Sequence, residues 1–290
     1  MIVVSGASGQ LGRRTVEYLL ERVDAGRVVA LSRTPERLAD LGVVTRHADF
    51  DDPAGLPAAF DGAERLLLIS TDAVGQPGVR VRQHTGAIEA AGKAGVGQVL
   101  YTSFVRTTDP RNPAFVAYDH AATERALVES GLPYTVLREN VYTDMLLASA
   151  PGAVAAGVLA TNDGDGSTAY LTRDDIAVVA ATLLAEGGYQ NQRLDLTGPA
   201  AVTQSEIASV LSKVTGVPVR YQPLTDEQAV AGMVEHAGMP EPIAQAYATF
   251  GQASRDGWLD EVTDVVARII GRQPASVAEF LAANRAALLG

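Results

Sequence analysis

The stretch that decides the fold is Ile2-Val3-Val4, followed directly by Ser5-Gly6-Ala7-Ser8-Gly9-Gln10-Leu11-Gly12. The apolar run has the length of one buried strand, and an amphipathic helical pattern follows the third glycine. Gly6 can adopt the backbone angles of a tight turn, Gly9 lets the main chain approach a pyrophosphate, and Gly12 lets the helix lie close to the strand. Such a turn can also be purely structural, but its place after the first strand favours dinucleotide binding.

Strand-like and helix-like segments alternate through the first half of the chain. Near-continuous apolar runs of this kind are typical of parallel strands that are covered on both faces. The predicted strands after the first cover residues 28–31, 43–46, 65–70, 98–103 and 134–138, and the predicted helices cover 15–23, 36–40, 79–94 and 119–130. Repeated βα units of this length predict an α/β protein with a Rossmann-type, doubly wound parallel sheet.

The regular alternation of strand-like and helix-like segments ends after residue 150. A turn-rich loop at residues 162–166 precedes a helix that begins near Asp174, a capping box at Thr203-Gln204-Ser205-Glu206 opens another helix, and residues 276–289 predict a closing helix. We therefore predict a dinucleotide-binding domain in residues 1–155 and a smaller, helix-rich C-terminal domain in residues 156–290 that caps the substrate. Segments around 172–198 are expected to return to the first domain.

Composition excludes several classes of function. A formal net charge of −11 disfavours binding to nucleic acid or to an anionic membrane, and no apolar run approaches the roughly 20 residues of a membrane helix. Cysteine is absent, which excludes disulfides, a cysteine nucleophile and cysteine-ligated metals. The four histidines show no close ligand spacing, so no metal site is expected. Because the first strand begins at residue 2, we expect no signal peptide and a cytoplasmic protein.

Cofactor preference is indicated by Ser32-Arg33, at the end of the second predicted strand. NAD-preferring proteins usually carry a carboxylate here, but residues 31–35 contain no acid. The planar guanidinium of arginine suits the oxygens of a 2′-phosphate. An ordinary solvated arginine is the alternative explanation, and the missing acid favours NADP(H).

The chain resembles the NmrA-like group of atypical short-chain dehydrogenases. Within that group it is most similar to the bacterial QorB-type NAD(P)H:quinone oxidoreductases and to triphenylmethane reductase, over nearly all 290 residues. Beyond the glycine motif, the resemblance rests on Leu67-Leu68-Ile69-Ser70, Tyr101-Thr102-Ser103, His120-Ala121-Ala122-Thr123-Glu124, Pro133-Tyr134-Thr135-Val136-Leu137-Arg138, Tyr142-Thr143-Asp144, Thr172-Arg173 and Gly238-Met239-Pro240-Glu241-Pro242.

This resemblance implies a reductase that transfers hydride from NADPH directly to a quinone or a similar planar acceptor, without flavin. The implied cofactor-binding residues are Gly6, Ser8, Gly9, Gln10, Leu11, Gly12, Arg33, Asp49, Phe50, Ile69, Ser70, Thr102 and Ser103. The implied acceptor pocket contains Phe104, His120, Asn140 and Tyr142, of which His120 and Tyr142 are the catalytic candidates. Relatives tend to carry Asn where this chain has Glu139, and this difference affects the polarity of the pocket.

The tyrosine–lysine pair of ordinary short-chain dehydrogenases is incomplete, because Ala122 stands four residues after Tyr118. Acid-assisted carbonyl reduction is therefore disfavoured. Two alternatives to quinone reduction remain: reduction of another conjugated acceptor (a triarylmethane dye, an imine or an enone), and a non-catalytic NADP(H)-sensing regulator of the NmrA type. A homodimer is the candidate assembly.

Overall fold

A computed structural model describes residues 1–289 of the chain. Its strands are β1 (Ile2–Val4), β2 (Val28–Ser32), β3 (Val44–His47), β4 (Arg65–Leu68), β5 (Gln98–Phe104), β6 (Tyr134–Glu139), β7 (Val158–Thr161), β8 (Ser167–Thr168), β9 (Gln192–Leu196), β10 (Val202–Thr203) and β11 (Arg220–Pro223). Its α-helices are α1 (Gln10–Leu20), α2 (Leu56–Ala59), α3 (Val79–Lys93), α4 (Ala117–Glu129), α5 (Leu146–Ala156), α6 (Arg173–Glu186), α7 (Gln204–Thr215), α8 (Asp226–Ala237), α9 (Glu241–Arg255), α10 (Val265–Ile270), α11 (Val277–Ala283) and α12 (Arg285–Leu288). Short 3₁₀ helices occupy Ala25–Arg27, Pro35–Leu41 and Thr143–Met145.

Seven strands form one parallel sheet in the order β3-β2-β1-β4-β5-β6-β9. In the register of its centre, Ile2 of β1 faces Val28 of β2 on one side and Arg65 of β4 on the other. All three residues of β1 are completely buried, as expected for a parallel strand with both faces covered. The predicted α/β, doubly wound Rossmann-type fold is confirmed.

The strand order reverses between β1 and β4, and this reversal positions the candidate site. The chain runs from β1 outward through β2 and β3, and then returns to the other side of β1 with β4. In open α/β sheets, ligands bind in the crevice beyond the carboxyl ends of the strands at such a switch point. The segments that leave β1, β2 and β4 begin at Ser5, Arg33 and Ile69, which include residues predicted to bind the cofactor.

Three predicted helices differ from the observed ones. The first helix begins at Gln10 and ends at Leu20, earlier than predicted, because Gly9 already serves as its N-cap. The segment after Thr34 is a 3₁₀ helix that ends at Gly42 with a left-handed backbone. The closing helix is interrupted at Asn284, whose side-chain amide donates to the carbonyl of Phe280 and so competes with continued helical bonding.

Two compact units divide the chain. The first comprises residues 1–104, 118–138 and 173–195, and the second comprises 105–117, 139–172 and the residues from 196 onward. In the second unit, β7 pairs with β11 and β8 with β10, and α5, α7 and α11 pack around a separate apolar core that includes Leu211 and Leu281. The predicted capping box at Thr203 and Glu206 is confirmed. The proposed domain boundary at residue 155 and the capping role of the second domain stay predictions.

Candidate functional site

The turn after β1 has the geometry that its glycines predict. Gly6 has a φ of +59°, in the left-handed region that favours glycine, and its carbonyl accepts a hydrogen bond of 2.9 Å from the N–H of Gly9. A Cβ at Gly12 would collide with the carbonyl oxygen of Gly6 and lie 2.8 Å from the Cα of Ala7. Glycine at position 12 is therefore required for α1 to pack closely against the turn.

The N-terminus of α1 carries an uncompensated positive dipole end. Its N-cap is Gly9, which supplies no side-chain cap, and its first turn contains no acidic residue. The N–H groups of the first helical turn have no partner within the helix, and together with the dipole they favour an anion at this position. The turn and the helix start therefore fit the phosphate groups of a dinucleotide.

A cavity of about 290 Å³ lies at the carboxyl ends of the strands of the first unit. Eight predicted cofactor residues line it: Gly6, Ser8, Gly9, Arg33, Asp49, Phe50, Ile69 and Ser70. The other predicted residues, which do not line it, are Gln10, Leu11, Gly12, Thr102 and Ser103. Residues that the sequence reasoning missed also line it: Ser5, Ser32, Ala48, Thr71, Asp72 and Gln83.

Arg33, directly after β2, lines this cavity with a guanidinium group that has no ion-pair partner among the described residues. The hydroxyl of Ser32 donates to that of Ser8 at 2.9 Å and accepts from the N–H of Thr34 at 3.0 Å, so this wall is ordered by polar contacts. Arg33 beside it is exposed and makes no ion pair within residues 1–289. By contrast, Arg13 of α1 is held by Asp40 through two hydrogen bonds of 2.7 and 3.0 Å, which lower the pKa of that carboxyl group.

Side-chain hydroxyls connect the ends of β1, β4 and β5. The hydroxyl of Ser5 accepts from the N–H of Ile69 at 2.9 Å, and that of Thr102 accepts from the N–H of Ser70 at 2.8 Å. Thr102 therefore contributes to the site by holding the main chain of Ser70. The hydroxyl of Ser103 donates to the carboxylate of Glu124 at 2.7 Å.

Glu124 is almost completely buried, and two arginines neutralise its charge. Arg138 donates to both carboxylate oxygens, at 2.9 and 2.7 Å, and Arg193 donates to one of them at 3.0 Å. Burying a carboxylate is costly unless it is paired and hydrogen-bonded, and these contacts together with Ser103 meet that requirement. The cluster fixes Ser103 at the end of β5 rather than leaving its hydroxyl free.

The catalytic candidate His120 is 5% exposed, and both of its ring nitrogens are engaged. Its Nε2 lies 3.2 Å from Nη2 of Arg80, and its Nδ1 lies 2.8 Å from the hydroxyl of Tyr101. A guanidinium only donates, so Nε2 is the acceptor and Nδ1 carries the proton. Burial, with the nearby charge of Arg80, lowers the pKa of His120 well below its usual value. A catalytic role for His120 stays a prediction.

The other predicted acceptor residues have defined partners. Phe104 is buried at the end of β5. The side-chain amide of Asn140 donates to the carbonyl of Leu259 at 2.9 Å, and the hydroxyl of Tyr142 donates to the carboxylate of Glu139. Glu139 is itself buried, so the carboxyl group bonded to the catalytic candidate Tyr142 is shielded from solvent. The roles of Phe104, Asn140 and Tyr142 in binding an acceptor stay predictions.

Neither a metal-binding cluster nor a membrane-spanning helix occurs within the described residues, 1–289. No group of three or more histidine, aspartate or glutamate side chains is arranged to hold a metal ion there. Within the same range, each helix is too short or too polar to span a bilayer.

Comparison with known proteins gives a consistent result. The model of the NmrA-like family matches residues 1–281. The chain is 37% identical to quinone oxidoreductase 2 of Escherichia coli K12 over 282 residues, which cover 96% of both chains. It is also 30% identical to the NAD(P)H azoreductase of Xenophilus azovorans over 288 residues, 99% of each chain.

Solved structures agree with these matches. The crystal structure of the E. coli NADPH-dependent quinone oxidoreductase with NADPH has a TM-score of 0.93 at 36% identity, and the comparison covers 98% of this chain and 99% of that one. The structure of Citrobacter triphenylmethane reductase with NADP(H) has a TM-score of 0.91 at 33% identity, over 98% of this chain and 100% of the other.

Proposed function

The chain belongs to the NmrA-like family, and from this premise we propose that it is an NADPH-dependent oxidoreductase that transfers hydride directly to a quinone, without flavin. The relative named quinone oxidoreductase 2 and the homologous structures that contain NADPH or NADP(H) support this proposal. The observation that carries it is the combination, in one cavity, of the glycine turn with the unpaired guanidinium of Arg33.

The residues present fit a dinucleotide with a 2′-phosphate. The N–H groups and dipole at the start of α1 stabilise phosphate charge, and the guanidinium of Arg33 binds the 2′-phosphate in the position where NAD-preferring proteins place an acid. The remaining predicted residues complete the proposed cofactor-binding set. Ser8, Gln10 and Leu11 lie in the turn and at the start of α1, and Asp49, Phe50, Ile69, Ser70, Thr102 and Ser103 lie at or near the carboxyl ends of the strands. When bound, NADPH supplies the hydride.

Proton supply is proposed to come from water rather than from a dedicated acid. Tyr118 is 77% exposed, and Ala122 replaces the lysine that would activate it. Nδ1–H of His120 donates to the hydroxyl of Tyr101, and its Nε2 accepts from Arg80, so the ring connects buried side chains of β5 and α3. Reduction of a quinone does not require a dedicated proton donor, because hydride transfer yields a stabilised phenolate that water can protonate. Phe104, Asn140 and Tyr142 complete the proposed set of acceptor-binding residues.

Reduction of another conjugated acceptor is the second candidate. The observation that favours it is Glu139, a buried carboxyl group bonded to Tyr142, at a position where the family resemblance implies Asn. A carboxyl group so close to an acceptor-binding residue would change the preferred charge of the acceptor. The similar proteins named NAD(P)H azoreductase and triphenylmethane reductase support this candidate. A homodimer and a cytoplasmic location stay predictions.

The test is NADPH oxidation by the purified protein with a panel of quinones, an azo dye and a triarylmethane dye. We expect quinone-dependent oxidation, faster with NADPH than with NADH, by a protein whose visible spectrum shows no flavin. Faster turnover of a dye than of every quinone would support the second candidate. Tight binding of NADPH without oxidation by any acceptor would instead indicate a sensor of the NmrA type.

A further inference from the structure

Helix α3 buries three polar side chains on one face. Arg80, Gln83 and His84 are spaced by three and four residues, so they lie side by side on the helix, and all three are buried. Buried polar groups normally have hydrogen-bond partners, and an unmatched one is costly. The partners of these side chains therefore indicate which groups this face of α3 holds in place.

Gln83 lines the cofactor cavity, and one end of its carboxamide has a defined partner. The hydroxyl of Thr71 donates to Oε1 of Gln83 at 2.6 Å, which orients the amide and leaves its NH₂ group as a donor. That NH₂ group has no hydrogen-bond partner within residues 1–289, although Gln83 is only 7% exposed and lines the cavity. The NH₂ group of Gln83 is thus an oriented donor that is available to a ligand in the cavity.

His84 holds Thr71 in the position that orients Gln83. The main-chain N–H of Thr71 donates to Nε2 of His84 at 3.0 Å, and an N–H group cannot accept, so Nδ1 of the ring carries the proton. Nδ1 lies 3.0 Å from the hydroxyl of Thr123, which itself donates to the carbonyl of Asp119 at 2.8 Å. Two consecutive residues of α3 therefore clamp Thr71, one through its hydroxyl and the other through its main chain.

We infer that Gln83 is a dinucleotide-binding residue, which donates one hydrogen bond from its NH₂ group to the cofactor, and that Thr71 and His84 position it. The same cavity contains the glycine turn at Gly6 and the guanidinium of Arg33, so a dinucleotide is the ligand whose chemistry fits it. This inference rests on the proposed function, in that it requires a bound nicotinamide dinucleotide. Because Gln83 is separate from Arg33, it contributes equally to the binding of NADPH and NADH.

The test compares Gln83→Met, which keeps the length of the side chain and removes the donor, with Gln83→Glu, which keeps an acceptor for Thr71 and places an anion in the cavity. Gln192→Met, at an exposed position of β9, is the matched control. Calorimetry of the full chain with NADPH and NADH gives the dissociation constants, and circular dichroism checks folding.

We expect Gln83→Met to raise both dissociation constants by a similar factor of about three to ten, the range of one neutral hydrogen bond. Gln83→Glu is expected to raise them further because of repulsion from the phosphates, and Gln192→Met to change neither. Parental affinity in both Gln83 variants would overturn the inference, as would a loss confined to NADPH. If the Met variant fails to fold, parental affinity in the Glu variant still overturns the inference.

The positioning role of His84 has its own test. The amide oxygen of Gln in His84→Gln can occupy the place of Nε2 and accept from Thr71, whereas the shorter side chain of His84→Asn cannot reach it. We expect weaker dinucleotide binding in His84→Asn, with affinity restored in His84→Gln. Equal affinities in the two variants would overturn this role. A parent protein that binds NADPH but reduces no acceptor would refute the proposed reaction and leave the inference on Gln83 supported or overturned by the binding constants alone.

Discussion

Stability at mildly acidic pH is predicted to depend on His84. The side chain is completely buried, and burial, with a further contribution from the charge of Arg80, lowers the pKa of His84 from 6.5 to about 3. Between these two values the unfolded chain binds a proton that the folded protein does not. The free energy of unfolding therefore falls as the pH falls from 6.5 towards 3, and the stabilisation is fully present only above pH 6.5.

The size of this effect follows from proton linkage. Lowering the pH from about 7.5 to about 5.5 takes the unfolded histidine from mostly neutral to mostly charged, which costs about 1.4 kcal/mol of folding free energy for His84 alone. His120 acts in the same direction, because its pKa is also lowered by burial. The whole protein is therefore expected to lose more than the contribution of His84.

The assay is urea unfolding at both pH values for the parent protein and for His84→Gln, which cannot titrate but keeps an acceptor for Thr71. All other titrating groups are common to the two proteins, so the difference between their pH dependences isolates His84. We expect the variant to lose about 1.4 kcal/mol less than the parent over this interval. Equal losses would refute the conclusion that His84 is neutral in the folded state.

Three further predictions concern the cofactor turn and proton supply. Arg33→Ala should weaken NADPH binding roughly tenfold or more and leave NADH binding almost unchanged, since a charge-assisted contact contributes about 1.5–3 kcal/mol. Equal losses of affinity for the two cofactors, measured by calorimetry, would show that Arg33 is not at the 2′-phosphate. Gly12→Ala should abolish binding of both cofactors and lower the free energy of unfolding by about 1–3 kcal/mol, because the added Cβ meets the backbone of Gly6 and Ala7. The control is Gly92→Ala, whose Cβ would lie in open space and should not destabilise the protein in the same urea titration. Tyr118→Phe should keep kcat for a quinone within a few-fold of the parent value, because a positioned general acid usually contributes about 10²–10⁴-fold; loss of turnover with NADPH binding intact would contradict direct transfer.

Features determined by neighbouring residues could be predicted from the sequence. The strand, turn and helix at residues 2–20 depend on the left-handed backbone of Gly6 and on the close approach at Gly12, and both demands arise within a few residues. The same holds for the capping box at Thr203, whose partner is three residues away. The ends of the first helix and the break at Asn284 were not predicted from the sequence, because several local hydrogen bonds compete at such boundaries and the residue pattern does not show which of them forms.

Only the tertiary structure showed which polar residues act together. Thr71, Gln83 and His84 carry no motif in the sequence, and their roles depend on how α3 packs beside the end of β4. The tautomer of His120 likewise follows from Arg80, 40 residues away in the chain. A glycine turn is specified by the backbone geometry of adjacent residues, whereas a buried hydrogen-bond network is specified by distances between side chains on different elements, which no local pattern encodes.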